Sequence, residues 1–141
     1  MFQQNVLIKL YKSGLKEVKN LTTTDLLEGL DTFPIKVLDI TRSNETLYRV
    51  NQSNGINYSV TKDHLLHLIN IKDTKVVNIS IGEFISMSKD KSKYLQGFKV
   101  INRRMQKTAI SIEHIDKDFC VSFRLNKTGL FLLEDSTVAH Y

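Results

Sequence analysis

Apolar and polar residues alternate along most of this chain in short runs, punctuated by Gly, Asn, Ser and Asp. From Val6 to Tyr11 the period is two, Ser13-Gly14 supplies a turn and Leu15 to Val18 returns, which predicts a hairpin with Gly14 at positive φ. Leu21 to Gly29 is ambiguous: a Thr-capped short helix and a loop crossing to the next strand fit it equally. After Pro34 the pattern predicts strands over Ile35 to Thr41, Thr46 to Val50 and Gly55 to Val60, the last two joined by a turn through Asn51 to Gly55. Four polar residues, Thr61 to His64, then interrupt before Leu65, Leu66 and Leu68 resume the apolar pattern.

One helix is predicted. Ser80 with Glu83 three positions on makes a capping box, Phe84, Ile85 and Met87 follow at helical spacing, and Tyr94 and Leu95 extend the pattern to a break near Gly97. Strand patterns return at Phe98 to Ile101, Thr108 to Ile115, Phe119 to Leu125, Leu130 to Leu133 and Thr137 to His140. Many short strands around a helical insertion at residues 80–96 predict an all-β, antiparallel, folded-over structure.

Composition narrows this reading. A chain of 141 residues with 41% hydrophobic content suits one domain with a real core, and no proline-rich or repetitive tract marks a boundary, so residues 1–141 are read as a single unit. The one cysteine, Cys120, sits in Phe-Cys-Val-Ser-Phe and reads as a buried small hydrophobe, which leaves no intramolecular disulfide and points to an intracellular, reducing setting. No apolar run approaches the roughly 20 residues of a membrane span, so membrane contact is not expected. A net charge of +5 attracts polyanions only weakly. Its densest cluster, Lys99 to Lys107 with Arg103 and Arg104, lacks interleaved aromatics and reads as a solvated loop more readily than as a nucleic-acid surface.

The candidate chemistry lies at the interruption after Val60. A hydroxyl (Thr61), a carboxylate (Asp63) and an imidazole (His64) stand together at a strand end. In a regular strand Thr61 and His64 point to opposite faces, so they converge only if the chain turns or bulges there. The residues alone favour a polar turn capped by Thr and Asp over a reactive site, because four-residue patterns of this kind are common.

The order of segments resembles an intein splicing domain, the Hint fold, over nearly the whole chain. Val6 to Val18 is similar to the opening hairpin of inteins, and Asp25 falls on the Asp of their usual Val-Gly-Asp turn, with Thr24 replacing the Gly. Phe33 to Arg42 and Leu47 to Val50 resemble the strands that follow, and Thr61 to His64 matches the Thr-x-x-His motif. Val77 to Lys89 is similar to the segment preceding the endonuclease in nuclear spliceosomal and giant-virus inteins, and Phe131 to His140 resembles the C-terminal motif ending in Val-x-His-Asn.

That resemblance implies a horseshoe or disc of short antiparallel strands with pseudo-two-fold symmetry, and a mini form in which residues 99–107 are the remnant joint of a missing endonuclease. It implies that His64 protonates the departing amide nitrogen, that Thr61 holds the scissile peptide beside Asp63, and that His140 assists the last step. The implied partners are the flanking extein segments of a host protein, with no cofactor, no metal, and a monomeric chain. Several positions depart from the family. Met1 stands where a Cys or Ser nucleophile is usual, Tyr141 where the terminal Asn is usual, Ser122 where an Asp is frequent and Gly129 where a His is frequent. A thioether cannot perform the acyl shift and a phenol cannot cyclise to a succinimide, so the expectation is a splicing domain inactive as written. The competing expectation is a non-enzymatic Hint-derived binding module that contacts nucleic acid through Lys99 to Lys107. His67 and His114 match no motif and are expected to be solvated or structural.

Overall fold

The computed structural model describes residues 1–31, 33–127 and 129–140. The first half holds β1 (Phe2–Gln3), β2 (Leu7–Leu10), β3 (Gly14–Glu17), a 3-10 turn at Val18–Asn20, β4 (Leu26–Glu28), β5 (Pro34–Gln52), β6 (Tyr58–Thr61) and β7 (Leu65–Asn70). The second half holds β8 (Val76–Ser80), α1 (Ile81–Ser86), α2 (Lys89–Ser92), β9 (Leu95–Ile101), β10 (Arg104–Thr108), β11 (Ile110–Leu125), β12 (Leu130–Leu132) and β13 (Val138–His140). All strand pairings among the described residues are antiparallel, as the all-β reading expects.

The opening hairpin forms as its sequence predicts, with Leu10 opposite Gly14 and Gly14 at φ +84°. Leu21 to Gly29 resolves toward the loop: Asp25 receives the Thr22 N–H at 2.8 Å and the Lys16 ammonium at 3.0 Å, and the chain runs on into β4. The capping box is also observed, Ser80 Oγ accepting from the Glu83 N–H while Glu83 Oε1 accepts from the Ser80 N–H.

The structure corrects three expectations. The strands predicted at 35–41 and 46–50 are one strand, β5, and those at 108–115 and 119–125 merge into β11 from Ile110 on, with Thr108 closing β10 and Ala109 between the two. The polar stretch 42–46 reads as a loop because both its faces meet water. Pairing with 117–121 instead satisfies its backbone, and the ribbon's register shifts twice, between Ile115 and Lys117 and between Arg124 and Leu125. The helical insertion at 80–96 is shorter than expected. Met87 is extended and ends α1, α2 is one turn, and Leu95 already belongs to β9, where it pairs with Asn70 and is buried. The basic stretch 99–107 is not a loop but the β9–β10 hairpin, turned by Asn102 and Arg103, both with φ > 0.

Two apolar clusters organise the interior. The larger includes Phe2, Val60, Leu66, Leu68, Phe123 and Phe131, and the smaller includes Ile69, Phe98, Leu132 and Val138. β7 divides them, because Leu66 and Leu68 point one way and Ile69 the other. The long ribbon closes on itself. β11 pairs with β5 along its length and with β1 at Val121, while β1 pairs with β6 and β6 with β5, so β11, β1, β6 and β5 form a ring. No helix among the described residues is long and apolar enough to cross a membrane.

Candidate functional site

Residue 1 is fixed by the side chain that follows it. Phe2 is fully buried, stacked on Phe123 with centroids 5.9 Å apart and edge-on to Phe131 at 5.6 Å, so a strand of two residues is anchored by aromatic burial. Its main chain is then threaded between β6 and β11, and Met1 is delivered to the end of β6.

There Thr61 holds Met1 twice. The Thr61 N–H donates to the Met1 carbonyl at 3.0 Å, and the Met1 nitrogen donates to Thr61 Oγ1 at 3.0 Å. The Thr61 hydroxyl in turn donates to Asp63 Oδ1 at 2.6 Å. Asp63 thereby takes the only hydroxyl proton, and an oxygen lone pair is left for the nitrogen of residue 1. That bond, before burial and charge are considered, lowers the Asp63 pKa.

The turn that the polar interruption requires is present. The His64 N–H donates to the Thr61 carbonyl at 3.1 Å, and the Ile81 N–H donates to the His64 carbonyl at 3.0 Å, which folds Thr61 and His64 toward the same space. His64 is only 4% exposed and its ring lies edge-on to Phe2 at 4.8 Å. Burial, reinforced by the positive end of Met1 and by His140, holds the His64 pKa well below that of a free imidazole, so the ring is neutral near pH 7. Its Nε2 is buried and makes no hydrogen bond among the described residues. A buried nitrogen left without a partner costs about 1–3 kcal/mol.

These groups open on a cavity of about 1020 Å³ whose wall includes Met1, Thr61, Asp63, His64 and Ser122. Ser122, at a position where the family resemblance expects an Asp, is one of the lining residues. His140, half-buried at the end of β13 with Leu130 as its cross-strand partner, lies near enough to lower the pKa values of both His64 and His67. Met1, Thr61 and His64, far apart in sequence, therefore converge on one cavity, whereas His140 does not line it and is linked to His64 only through its charge. Tyr141 lies outside the described residues. Cys120 is 1% exposed, its Sγ 3.5 Å from Met1 Sδ, and burial pushes its thiol upward, so it is the small hydrophobe the sequence suggests.

Sequence reasoning missed four other residues that line the cavity, Glu45, Tyr48, His114 and Lys117. His114 pairs directly with Tyr48, ring centroids 5.3 Å apart. No local pattern marks it, since its position depends on the register between β5 and β11.

Comparisons with known proteins bear on the fold. No family model and no curated protein sequence matches the chain. Solved structures do. The gp41-1 intein superposes with a TM-score of 0.72 at 17% identity, covering 99% of this chain and 97% of its own. A DnaB intein from Synechocystis sp. PCC 6803 gives 0.76 at 13% identity over 99% and 97%. The MchDnaB-1 intein gives 0.72 at 13% over the whole of both chains. The fold of this chain is the Hint fold found in inteins.

Proposed function

We propose that this domain is of the protein-splicing type, with residue 1 at the upstream junction and His140 at the downstream one, and that Met1 and Tyr141 leave it inactive as written. The observation that carries the reading is the double hold of Thr61 on Met1 beside a buried, neutral His64 whose Nε2 has no hydrogen-bond partner among the described residues.

The chemistry follows from those atoms. With a thiol at residue 1, sulfur attacks the preceding carbonyl carbon, a thioester forms and the bond to the residue 1 nitrogen breaks. The thiol must lose a proton and the nitrogen must gain one. A neutral imidazole can carry it between them, a contribution of about 10²–10⁴-fold. Thr61 Oγ1, steered by Asp63, fixes the nitrogen in place, and the thioether of Met1 has no proton to give. Downstream, His140 would assist an Asn at position 141 whose side-chain nitrogen attacks its own carbonyl and releases the following segment. The partners in this reading are the two flanking segments of a host chain.

The test is Met1→Cys in the full chain with an upstream and a downstream segment attached, the upstream one being read for release. Addition of a small thiol is expected to release that segment, detected by intact mass, and to leave the downstream junction whole. Adding His64→Ala should suppress the release. A folded Met1→Cys protein that is inert to thiol contradicts the reading.

A further inference from the structure

The helical insertion predicted at residues 80–96 breaks, and a groove opens at the break. α1 ends where Met87 turns extended, α2 is a single turn beyond it, and a cavity of about 490 Å³ is lined by this segment and by β8. Val77 and Ile79, two apart on β8 and so on one side of it, line the cavity together with Met87 and Leu95. Leu95 is buried and the other three are partly buried against the larger cluster, so the floor is apolar and rests on the core. No residue lining this groove lines the cavity at residue 1.

The charge around the floor is mostly positive. Lys72 and Lys91 line it against the carboxylate of Asp90. Tyr94, also in the lining, is tied back by its carbonyl, which accepts from the Ile71 N–H at 2.8 Å. Lys72 Nζ stands 4.9 Å and Lys93 Nζ 5.2 Å from the centroid of the Tyr94 ring, so one ring gathers two ammoniums from separate segments. Among the described residues neither Lys72 nor Lys91 has an acidic partner within ion-pair distance. Lys93 has Asp90 at 3.8 Å, but the Asp90 side chain is 94% exposed, and a pair of that kind contributes little. The repulsion among these cations is left for a further anion to relieve.

We infer that this groove binds a small amphiphilic anion, an alkyl or aryl chain carrying one carboxylate. The chain lies on Val77, Ile79 and Met87, and the carboxylate sits with the ammoniums beside Tyr94. The volume and the lining, an apolar floor with a few placed polar groups, are those of a small-molecule site, for which roughly 300–1,000 Å³ is usual. A neutral chain gains only the floor and a cationic one is repelled, so charge sets the ligand class. An anionic lipid in a bilayer offers the same chemistry, but here the apolar side chains are recessed, whereas a bilayer-binding face presents them outward. The free molecule is therefore the occupant, and this inference does not rest on the splicing reading.

Methyl carbon-13 labelling of the three methionines of the unaltered 141-residue chain places one reporter in the groove, Met87, and two outside it, Met1 and Met105. Decanoate should move the Met87 signal saturably, with Kd below about 1 mM, and leave Met1 and Met105 unmoved. Decyltrimethylammonium should bind at least about tenfold more weakly, and added salt should weaken decanoate but not decanol. Lys72→Gln with Lys91→Gln should weaken decanoate about fivefold or more and leave decanol unchanged. No saturable response of Met87 up to about 5 mM decanoate overturns the inference, as does equal affinity for decanoate and decyltrimethylammonium. Capture of the chain by sedimented anionic phospholipid vesicles, with no response to free decanoate, assigns the groove to a bilayer and overturns it as well. The deciding titrations use the unaltered chain, so they stand even where the double variant fails to fold.

Discussion

Met1 and Thr61 are joined in both directions, the Thr61 amide donating to the Met1 carbonyl and the Met1 nitrogen donating to the Thr61 hydroxyl, each at 3.0 Å. The first bond is backbone and survives substitution at 61; the second does not. In the Met1→Cys chain, Thr61→Val should therefore lower thiol-dependent upstream release by about 10²-fold while the fold is kept, because a small misplacement of reacting atoms is worth that much. Asp63→Ala should act in the same direction and less, since it frees the hydroxyl to rotate. Rates from single-exponential release, alongside circular dichroism, separate the two effects from unfolding.

His64 supplies a pH signature. Its folded pKa lies below the unfolded value near 6.5, so the unfolded chain takes up a proton first as pH falls and the native state loses relative stability from about pH 6.5 downward, at no more than about 1.4 kcal/mol per pH unit for one group. Urea midpoints should fall between pH 7 and pH 5, and His64→Leu should flatten most of that slope. His67, whose pKa burial also lowers, leaves a residual slope in the same window, and the carboxylates contribute only at lower pH.

Asp135 ties the C-terminal strand to the turn after β5. Its carboxylate accepts from the Ile56 N–H at 2.9 Å and the Thr137 N–H at 3.0 Å, with Lys99 3.6 Å away. Asp135→Ala strands these donors and should destabilise the domain by about 2–3 kcal/mol in urea. Gly55→Ala should also destabilise, because a Cβ there would lie 2.8 Å from Asp135 Oδ2.

Cys120 should label slowly with an aromatic disulfide reagent in buffer and at once in denaturing urea. Its burial beneath residue 1 and its raised pKa both withhold the thiolate. Rapid labelling of the folded chain would reopen a nucleophilic role for this thiol.

Much of this molecule was legible in its residues, and the remainder depended on pairing. Gly14 and the Ser80–Glu83 box announce themselves because their signals are local and each has one physical use. The Thr61 to His64 interruption requires a turn, and the turn exists. The continuity of β5 and β11 was hidden, since a two-stranded ribbon with both faces in water needs no apolar alternation, only a partner for its backbone. The Asn102-Arg103 turn lacks the glycine that usually marks such hairpins, so a basic run was read as a loop. His114 is set by the register between β5 and β11, which no local window contains.

The measurement that bears most directly on the whole account is intact-mass analysis of the Met1→Cys, Tyr141→Asn chain, flanked on both sides and followed by Cys. Ligated flanks together with the excised domain are the expected products, at least in part, because Thr61, His64 and His140 are all present. A folded double variant that neither splices nor releases either flank would contradict the account, and would mean that this site, Ser122 and Gly129 included, serves a scaffold without the chemistry.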